Sequence, residues 1–186
     1  MGDLRTTRTY KLLKNALLEL LSEDSFDNIK VNDICNLAMV HRTTFYSHFA
    51  DKYELLDYCI NDIEKELLSD FSGKKYATSK EFYTNLIMNI LHFLGSKKLF
   101  FRNMVNNNYS NGIFTILHNS AISKITELLE KEEKAGIKFN SPIKIMAEFY
   151  SGALTSTIMW WLITNSKISE EELCNYIINL IFEKTK

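Results

Sequence analysis

The sequence predicts an all-α protein of about nine helices, and three observations support this fold class. First, the 186 residues include only six glycines and one proline, too few for the many turns of a β-sandwich. Second, apolar residues recur at steps of three and four along most of the chain, which is the period of an amphipathic helix. Third, helix-capping pairs precede several of these apolar runs.

Four helices are predicted in the N-terminal part of the chain. Their approximate bounds are 5–22, 32–38, 42–49 and 51–71. The second and third are short and are separated by a turn at residues 39–41. At the start of the fourth, Asp51 is expected to accept a backbone N–H of the first turn while Glu54 reaches back, as in a capping box. A longer helix followed by two short helices and a tight turn is the outline of a helix-turn-helix.

The remaining helices follow a break at residues 72–75, which is the strongest change of composition in the chain. Capping boxes are predicted where Thr78 precedes Glu81 and where Ser169 precedes Glu172, each pair being three residues apart. Ser141 is predicted to cap a helix that has the single proline at its first position. The asparagines at 106–108 are predicted to interrupt the helical pattern.

The composition and motifs argue against several functions. A net charge of −1 gives no whole-molecule attraction to nucleic acid or membranes, so such contacts must come from a local patch. The apolar stretch 143–163 is interrupted by polar and charged residues and is not expected to span a membrane. Motifs for nucleophilic hydrolysis, phosphate loops, zinc proteolysis and dinucleotide binding are missing. We therefore expect a cytoplasmic protein without enzyme activity or a cofactor.

The cysteines and histidines do not predict a metal site. Cys35, Cys59 and Cys174 are widely spaced, and histidines do not stand at ligand spacing from them. We expect three buried free thiols and no bound metal. His92 and His118 lie on separate apolar helices and are expected to satisfy local hydrogen bonds.

The third predicted helix carries side chains suited to double-stranded DNA. Phe45 and Phe49 are four residues apart and are expected in the core. The other side presents groups that can bind base edges in the major groove and phosphate oxygens. These residues are Arg42, Thr43, Thr44, Tyr46 and His48. For His48 an alternative is open, because its ring can also pack against the first helix.

Two residues flank this helix at positions where DNA would approach. His41 precedes its first residue, where the helix N-terminus would meet the duplex. Lys52 begins the following helix, whose backbone N–H groups also favour anions. Both are therefore candidate DNA-binding residues.

Residues 26–56, with the run Thr-Phe-Tyr-Ser-His-Phe at 44–49, resemble the DNA-binding head of the tetracycline-repressor (TetR) family. The resemblance implies a homodimer whose heads bind a palindromic operator, and a C-terminal body that dimerises and often holds a small-molecule inducer. It places the five polar residues above on the recognition helix and Lys52 at the phosphate-contacting lysine. Two residues depart from the pattern. Met39 stands where the family usually has glycine, and His41 where serine or asparagine often caps the third helix.

A second resemblance concerns the C-terminal part. Residues 149–154 followed by Trp160-Trp161-Leu162 resemble the penultimate helix of TetR regulators grouped with dihydroxyacetone-kinase regulators. In the family, the last two helices form the dimer's four-helix interface. The candidate dimerisation residues are Trp160, Trp161, Tyr176 and Leu180. Adjacent tryptophans point about 100° apart on a helix, so one is expected in the core and the other at the dimer interface or pocket.

Several aromatic residues are candidates for lining an effector pocket, although each of them is expected first of all in the core. They are Phe93, Phe101, Tyr109, Phe114 and Phe149. With these assignments, residues 1–50 form the predicted DNA-binding head, and residues 51–186 form the predicted regulatory and dimerisation domain.

We therefore expect a sequence-specific, homodimeric transcriptional regulator, with repression as the expected mode and with an effector of unknown identity. The alternatives are a regulator that senses a partner protein without a small-molecule inducer, and a helical interaction module that does not bind DNA. Residues 1–58 hold nine acidic against seven basic residues, so few phosphate contacts and a modest salt dependence are expected. Four of the basic residues cluster near the N-terminus, namely Arg5, Arg8, Lys11 and Lys14.

Overall fold

The computed structural model describes residues 4–69, 71, 74–108, 113–164 and 166–182, apart from the side chains of Arg5, Ile113 and Phe114. These residues form nine α-helices and no strand, which confirms the predicted fold class. The helices are α1 (Leu4–Glu23), α2 (Val31–Ala38), α3 (Arg42–Tyr46), α4 (Lys52–Ser69), α5 (Ser79–Ser96), α6 (Lys98–Asn108), α7 (Ile113–Lys134), α8 (Ile143–Ile163) and α9 (Glu170–Phe182). Within this described part, no helix combines the length and apolar character that a membrane crossing requires.

The chain forms two compact units. Unit 1 comprises Met1–Ser72 and Leu99–Ile113, and unit 2 comprises Gly73–Lys98 and Phe114–Lys186. The first segment of unit 1 ends at the composition break around residues 72–75. The boundary proposed at residue 50 falls inside unit 1, because α4 is buried against the same core as the helices before it.

The core of unit 1 is built on α1. Its residues Leu13, Leu17 and Leu21 recur every four positions and are 0% exposed. α1 packs against α2 and α4, and α2 packs in turn against α3, whose Phe45 is 0% exposed. Burying a leucine or phenylalanine side chain of this size stabilises the folded state by about 1.5–3 kcal/mol. The hydrophobic effect thus holds the short α3 in place through one residue, Phe45.

Helix starts follow the predicted caps at three of four sites. Asp51 Oδ1 accepts the backbone N–H of Glu54 at 2.9 Å, and Glu54 in turn accepts that of Ala50. At Ser169 the capping box is complete, since Glu172 N donates to Ser169 Oγ at 3.2 Å and Ser169 N donates to Glu172 Oε2 at 2.9 Å. At Thr78 the side-chain cap is present, with Glu81 N donating to Thr78 Oγ1 at 3.1 Å, but Glu81 Oε2 accepts the N–H of Ala77, one residue before the cap, at 2.8 Å.

The prediction for α8 is wrong by one residue. Pro142 has ψ 137°, an extended value, so it is the N-cap and the helix begins at Ile143. Among the described residues, no side chain caps this start, and Ser141 lies outside the helix. The prediction that the asparagines at 106–108 interrupt the helical pattern is also wrong, because α6 continues through Asn108.

Unit 2 is organised around α5 and α9, which pack against each other. Buried apolar residues of α5 face buried apolar residues of α9. Trp161 on α8 is 2% exposed, and its indole N–H donates to the carbonyl of Ile168 at 2.9 Å. The ammonium of Lys98 lies 4.0 Å from the centre of the same indole ring, at cation–π distance.

The three cysteines are buried and free, as expected. Burial raises the pKa of the Cys59 thiol to about 12, and it also raises the pKa of Cys35 and Cys174. All three are therefore protonated at neutral pH and behave as small apolar side chains.

Candidate nucleic-acid interface

The turn between α2 and α3 is a Schellman motif with methionine at its left-handed position. The N–H of Val40 donates to the carbonyl of Cys35 at 3.0 Å, and that of Met39 donates to Asn36 at 3.2 Å. Met39 has φ 52° and ψ 42°, so the turn keeps the left-handed geometry that glycine would adopt without strain. The departure from the family pattern therefore leaves the turn intact and places a strained residue in it.

α3 is shorter than predicted, since it ends at Tyr46 instead of continuing to Phe49. The hydroxyl of Ser47 donates back to the carbonyl of Thr44 at 2.7 Å, which competes with continuation of the helix. His41 is the N-cap, with φ −66° and ψ 143°, and its side chain caps none of the described amides of α3. The helix therefore depends on Phe45 for its position more than on its ends.

The exposed face of α3 contains most of the predicted DNA-binding residues, and we call it the α3 surface. His41, Arg42, Thr43 and Tyr46 are exposed, and Thr44 is half-buried. The Arg42 guanidinium lies 5.8 Å from the centre of the Tyr46 ring, which keeps these two side chains together. A short helix with polar residues at its exposed N-terminal end has the shape and donors that major-groove readout requires.

His48 lies apart from the α3 surface. It is half-buried, and its ring meets that of Tyr10 edge to face with centroids 5.1 Å apart. Tyr10 also contacts Phe49 and Tyr58, so His48 belongs to an aromatic cluster between α1 and α4. Of the two roles that the sequence left open, packing against the first helix is the one that this geometry favours.

Lys52 is also directed into the protein. Its ammonium donates to three backbone carbonyls of the loop between α1 and α2, those of Phe26 at 2.6 Å, Asp27 at 3.2 Å and Ile29 at 2.8 Å. It also lies 4.6 Å from the centre of the Phe26 ring. Burial lowers the pKa of Lys52, and the carboxylate of Asp27 partly opposes this shift. These bonds could not be predicted from the sequence, because their acceptors are main-chain atoms.

The basic cluster at the N-terminus is only partly available to phosphate. Lys14 forms an ion pair with Asp62 of α4 at 2.6 Å, whereas Arg8 and Lys11 are exposed. The side chain of Arg5 lies outside the described residues. This distribution agrees with the expectation of few phosphate contacts.

One residue that the sequence did not single out as functional holds the same loop as Lys52. Asn108, at the end of α6, is 0% exposed, and its Oδ1 accepts the N–H of Phe26 at 2.7 Å. Its Nδ2 donates to the carbonyls of Leu21 at 3.3 Å and Met104 at 2.8 Å. The loop before α2 is thus bonded to α4 through Lys52 and to α6 through Asn108.

The candidate dimerisation residues differ in their exposure. Trp160, Tyr176 and Leu180 are 46%, 54% and 85% exposed, whereas Trp161 is buried in its own protomer. Ile145 and Phe149 on α8 are 60% and 69% exposed. The exposed five, Ile145, Phe149, Trp160, Tyr176 and Leu180, are called the apolar face of α8 and α9 below.

The candidate pocket residues are divided between the two units. Phe101 is buried in unit 1, Phe93 is half-buried in unit 2, and Phe149 is exposed on α8. Tyr109 and the side chain of Phe114 lie outside the described residues.

The two histidines of unit 2 have hydrogen-bond partners, as expected. His118 Nδ1 lies 2.9 Å from the hydroxyl of Ser151, and His92 Nδ1 lies 3.2 Å from a carboxylate oxygen of Glu170. In the described part of the chain, no three potential ligands cluster in a way that could hold a metal ion.

A short exposed helix, fixed by one buried aromatic residue and a tight turn on a three-helix core, defines a helix-turn-helix protein. Residues 13–59 match the family model described as bacterial regulatory proteins of the tetR family. Residues 81–183 match a second TetR model, described as a transcriptional regulator C-terminal region. The chain therefore belongs to the TetR family and is a DNA-binding transcriptional regulator.

Relatives of known sequence support this assignment. The HTH-type dhaKLM operon transcriptional activator DhaS of Lactococcus lactis is 24% identical over 182 residues, which cover 96% of this chain and 91% of DhaS. An uncharacterised HTH-type transcriptional regulator of Bacillus subtilis, YxbF, is 31% identical over 104 residues, which cover 50% of this chain and 27% of YxbF.

Solved structures share the fold. The dihydroxyacetone kinase operon activator DhaS superposes with a TM-score of 0.59 at 20% identity, covering 93% of both chains. A TetR regulator from Streptococcus agalactiae gives a TM-score of 0.68 at 21% identity, covering 95% of both chains. A TetR-family regulator from Syntrophomonas wolfei gives 0.72 at 16% identity, covering 94% of this chain and 93% of the other.

Proposed function

We propose that this regulator binds a palindromic operator as a homodimer and reads each half-site with the α3 surface. The observation that carries the proposal is the division of α3 between one buried anchor, Phe45, and an exposed polar face at its N-terminal end. Heads of a dimer reach successive major grooves when their recognition helices lie about 34–36 Å apart. The binding site is then an inverted repeat.

The side chains of the α3 surface are suited to different parts of the DNA duplex. The exposed Arg42 guanidinium can donate two parallel hydrogen bonds to a guanine. Thr43 and Thr44 can meet a thymine methyl group or a phosphate, and the Tyr46 hydroxyl can donate to a phosphate oxygen. His41 lies at the N-terminus of α3, where base edges approach.

Homodimerisation is supported by the apolar face of α8 and α9. On α8, Ile145, Phe149 and Trp160 lie at spacings that bring them to one side of the helix. Tyr176 and Leu180 are four residues apart on α9, which gives them a common side as well. Exposed apolar helix faces on soluble proteins often mark interfaces, and a two-fold dimer covers the same faces on both copies. Trp161 is not part of this proposal because it is buried in its own protomer.

Regulation is proposed to act through unit 2. An effector that binds this unit would change the separation of the two heads, and it can shift the equilibrium only as far as its affinity differs between the two states. A partner protein is the alternative kind of effector. Screening small molecules and candidate proteins for release of bound DNA distinguishes the two kinds of effector.

The first experiment is selection of bound sequences from a random duplex DNA pool by the purified protein at moderate salt. We expect an inverted repeat with a defined centre spacing. The control is Arg42→Ala, which should abolish enrichment while leaving the fold unchanged. No enrichment by a folded, dimeric wild-type protein would contradict the proposal and favour the interaction-module alternative.

Transcription in vitro on a template that carries the selected repeat determines whether the protein represses or activates. The sequence predicts repression, whereas the relative from Lactococcus lactis is named as an activator. We propose repression as the default mode, so added protein should lower transcript yield. A rise in yield on that template alone, and not on a scrambled one, would assign activation instead.

A further inference from the structure

We infer that Lys52 is a positioning residue of the helix-turn-helix, whose ammonium fixes the loop before α2 and does not contact DNA phosphate. This inference rests on the proposed binding of operator DNA by the α3 surface. It differs from the role that the family resemblance implies for this lysine.

The hydrogen bonds of the Lys52 ammonium are the first support for this inference. An ammonium group has three hydrogens to donate, and here each of them has a main-chain acceptor, at 2.6, 2.8 and 3.2 Å. The ring of Phe26 lies at cation–π distance from the same nitrogen. A phosphate contact would require breaking these bonds and exposing the carbonyls they satisfy.

The position of the acceptors is the second argument. The carbonyl of Ile29 lies two residues before α2, and the Ile29 side chain is 3% exposed. Lys52 is the first residue of α4, so its bond to the carbonyl of Ile29 connects the start of α4 to the residues just before α2. Because the Schellman turn at Met39 and Val40 joins α2 directly to α3, the orientation of α3 follows that of α2.

Asn108 supports the inference independently, because it binds the second main-chain polar group of Phe26. Its Oδ1 accepts the N–H of Phe26, while Lys52 binds the carbonyl of Phe26. The side chain of Phe26 is 1% exposed and meets the ring of Tyr53 edge to face. Every part of Phe26 is thus held by the protein, which is the arrangement expected of a fixed reference point for α2. The lowered pKa of Lys52 agrees with an ammonium that is partly removed from water.

The test compares Lys52→Met with the wild type on the duplex that the wild type selects from the random pool. If each head of the variant populates the binding-competent arrangement only about a tenth of the time, the dimer, which needs both heads, loses about a hundredfold in apparent affinity. The slope of log affinity against log salt should stay at the wild-type value. Loss of one phosphate contact per head would instead lower that slope by about 1.8 per dimer, and this result would overturn the inference. Unchanged affinity would overturn it as well.

Two further variants separate positioning from charge and from general stability. Lys65→Met removes the same charge from the exposed far part of α4 and should leave affinity unchanged. Lys52→Arg can still donate to the loop carbonyls and should recover at least part of the lost affinity. Hydrogen exchange of Lys52→Met should accelerate in residues 26–38 and stay unchanged in unit 2. Uniform acceleration would indicate a merely structural role and would contradict the inference.

A measurement on the wild-type protein avoids variants that fail to fold. The ¹⁵N resonance of the Lys52 ammonium should show slow hydrogen exchange in the free protein and should not shift when the selected duplex is added. A scalar coupling between this nitrogen and a ³¹P nucleus would overturn the inference. The free-protein spectrum tests the loop bonds even when no duplex is selected, so failure of the proposed operator binding remains a separate result.

Discussion

At the scale of single residues, Met39 departs most clearly from what local backbone chemistry favours. It holds φ 52° in the turn before α3, where a side chain with a Cβ atom costs about 1–2 kcal/mol. Its side chain is 90% exposed, so packing offers little to offset that cost. The turn is maintained by the hydrogen bonds of the Schellman motif and by the buried residues on either side of it.

We expect Met39→Gly to raise the free energy of unfolding by about 0.5–1 kcal/mol. Relief of the left-handed strain exceeds the extra entropy that glycine gives to the unfolded chain. Urea unfolding followed by circular dichroism measures the change. Met39→Ala is the matched control, since it shortens the side chain but keeps Cβ, and it should give no gain. An equal gain in both variants would mean that side-chain exposure, and not backbone strain, is the cause.

Asn108 is the second residue whose effect can be measured directly. Replacement by leucine keeps a similar volume but leaves the N–H of Phe26 and the carbonyl of Leu21 buried without their partner. We expect the free energy of unfolding of unit 1 to fall by about 3 kcal/mol. Asn107→Leu is the control. Its exposed amide makes one bond, to the carbonyl of Ser22 at 3.0 Å, so its loss should cost less than about 1 kcal/mol. Similar losses in both variants would contradict this account.

At the scale of helices, local signals predicted much of what the structure contains. The caps at Asp51 and Ser169 are readable because a helix start needs particular side chains at fixed offsets. The start of α8 was missed because a proline fits either the N-cap or the first helical position. The end of α3 was missed because Phe49 continues the apolar spacing although the helix has stopped.

The capping box of α9 provides a pH dependence with a definite sign. Hydrogen bonds from the backbone and side chain of Ser169 lower the pKa of Glu172. A lowered folded-state pKa gives stability that is present above the ordinary carboxyl pKa and is lost as pH falls through the folded value. We expect the amide of Ser169 to be protected from hydrogen exchange above the ordinary Glu pKa of about 4.3 and to lose protection as pH falls below it. Glu172→Gln should remove this dependence. The same acid-induced loss in the variant would show that another group is responsible.

The hydrogen bonds of Lys52 and Asn108 could not be predicted from the sequence. Their partners are main-chain N–H and C=O groups, which every residue type presents, so no pattern of side chains reveals them. The α3 surface was predictable because its exposed residues are interleaved with the buried Phe45 on one short helix. His48 has the residue type of a DNA contact, and only the position of Tyr10 reveals its packing.

At the scale of the whole molecule, the apolar face of α8 and α9 and the sparse positive charge of the head have a common implication. Each head offers few cations to phosphate, since Lys14 and Lys52 are already engaged within the protein. A single head would therefore bind DNA weakly. Joining two heads converts the second contact into an intramolecular one and raises the overall affinity without new charges.

We expect Phe149→Glu or Trp160→Glu to convert the proposed dimer to a monomer of 21.7 kDa. A carboxylate introduced on an apolar face is costly to bury, and the two-fold axis places it on both copies. Size-exclusion chromatography with light scattering measures the mass. Ser123→Glu, at an exposed position of α7 in the same unit, is the control and should remain dimeric. A variant that keeps its mass would exclude that residue from the interface.

The bonds around Phe26 also constrain how this protein can vary in evolution. Lys52 and Asn108 bind the main chain at fixed positions, which are the carbonyls of residues 26, 27 and 29 and the N–H of residue 26. An inserted or deleted residue would displace these groups, whereas most exchanges of the exposed side chains at 27 and 28 would not. Positions 27 and 28 should therefore vary in residue type, while the length of the loop between α1 and α2 is preserved. This reverses the usual behaviour of surface loops, which accept changes of length readily.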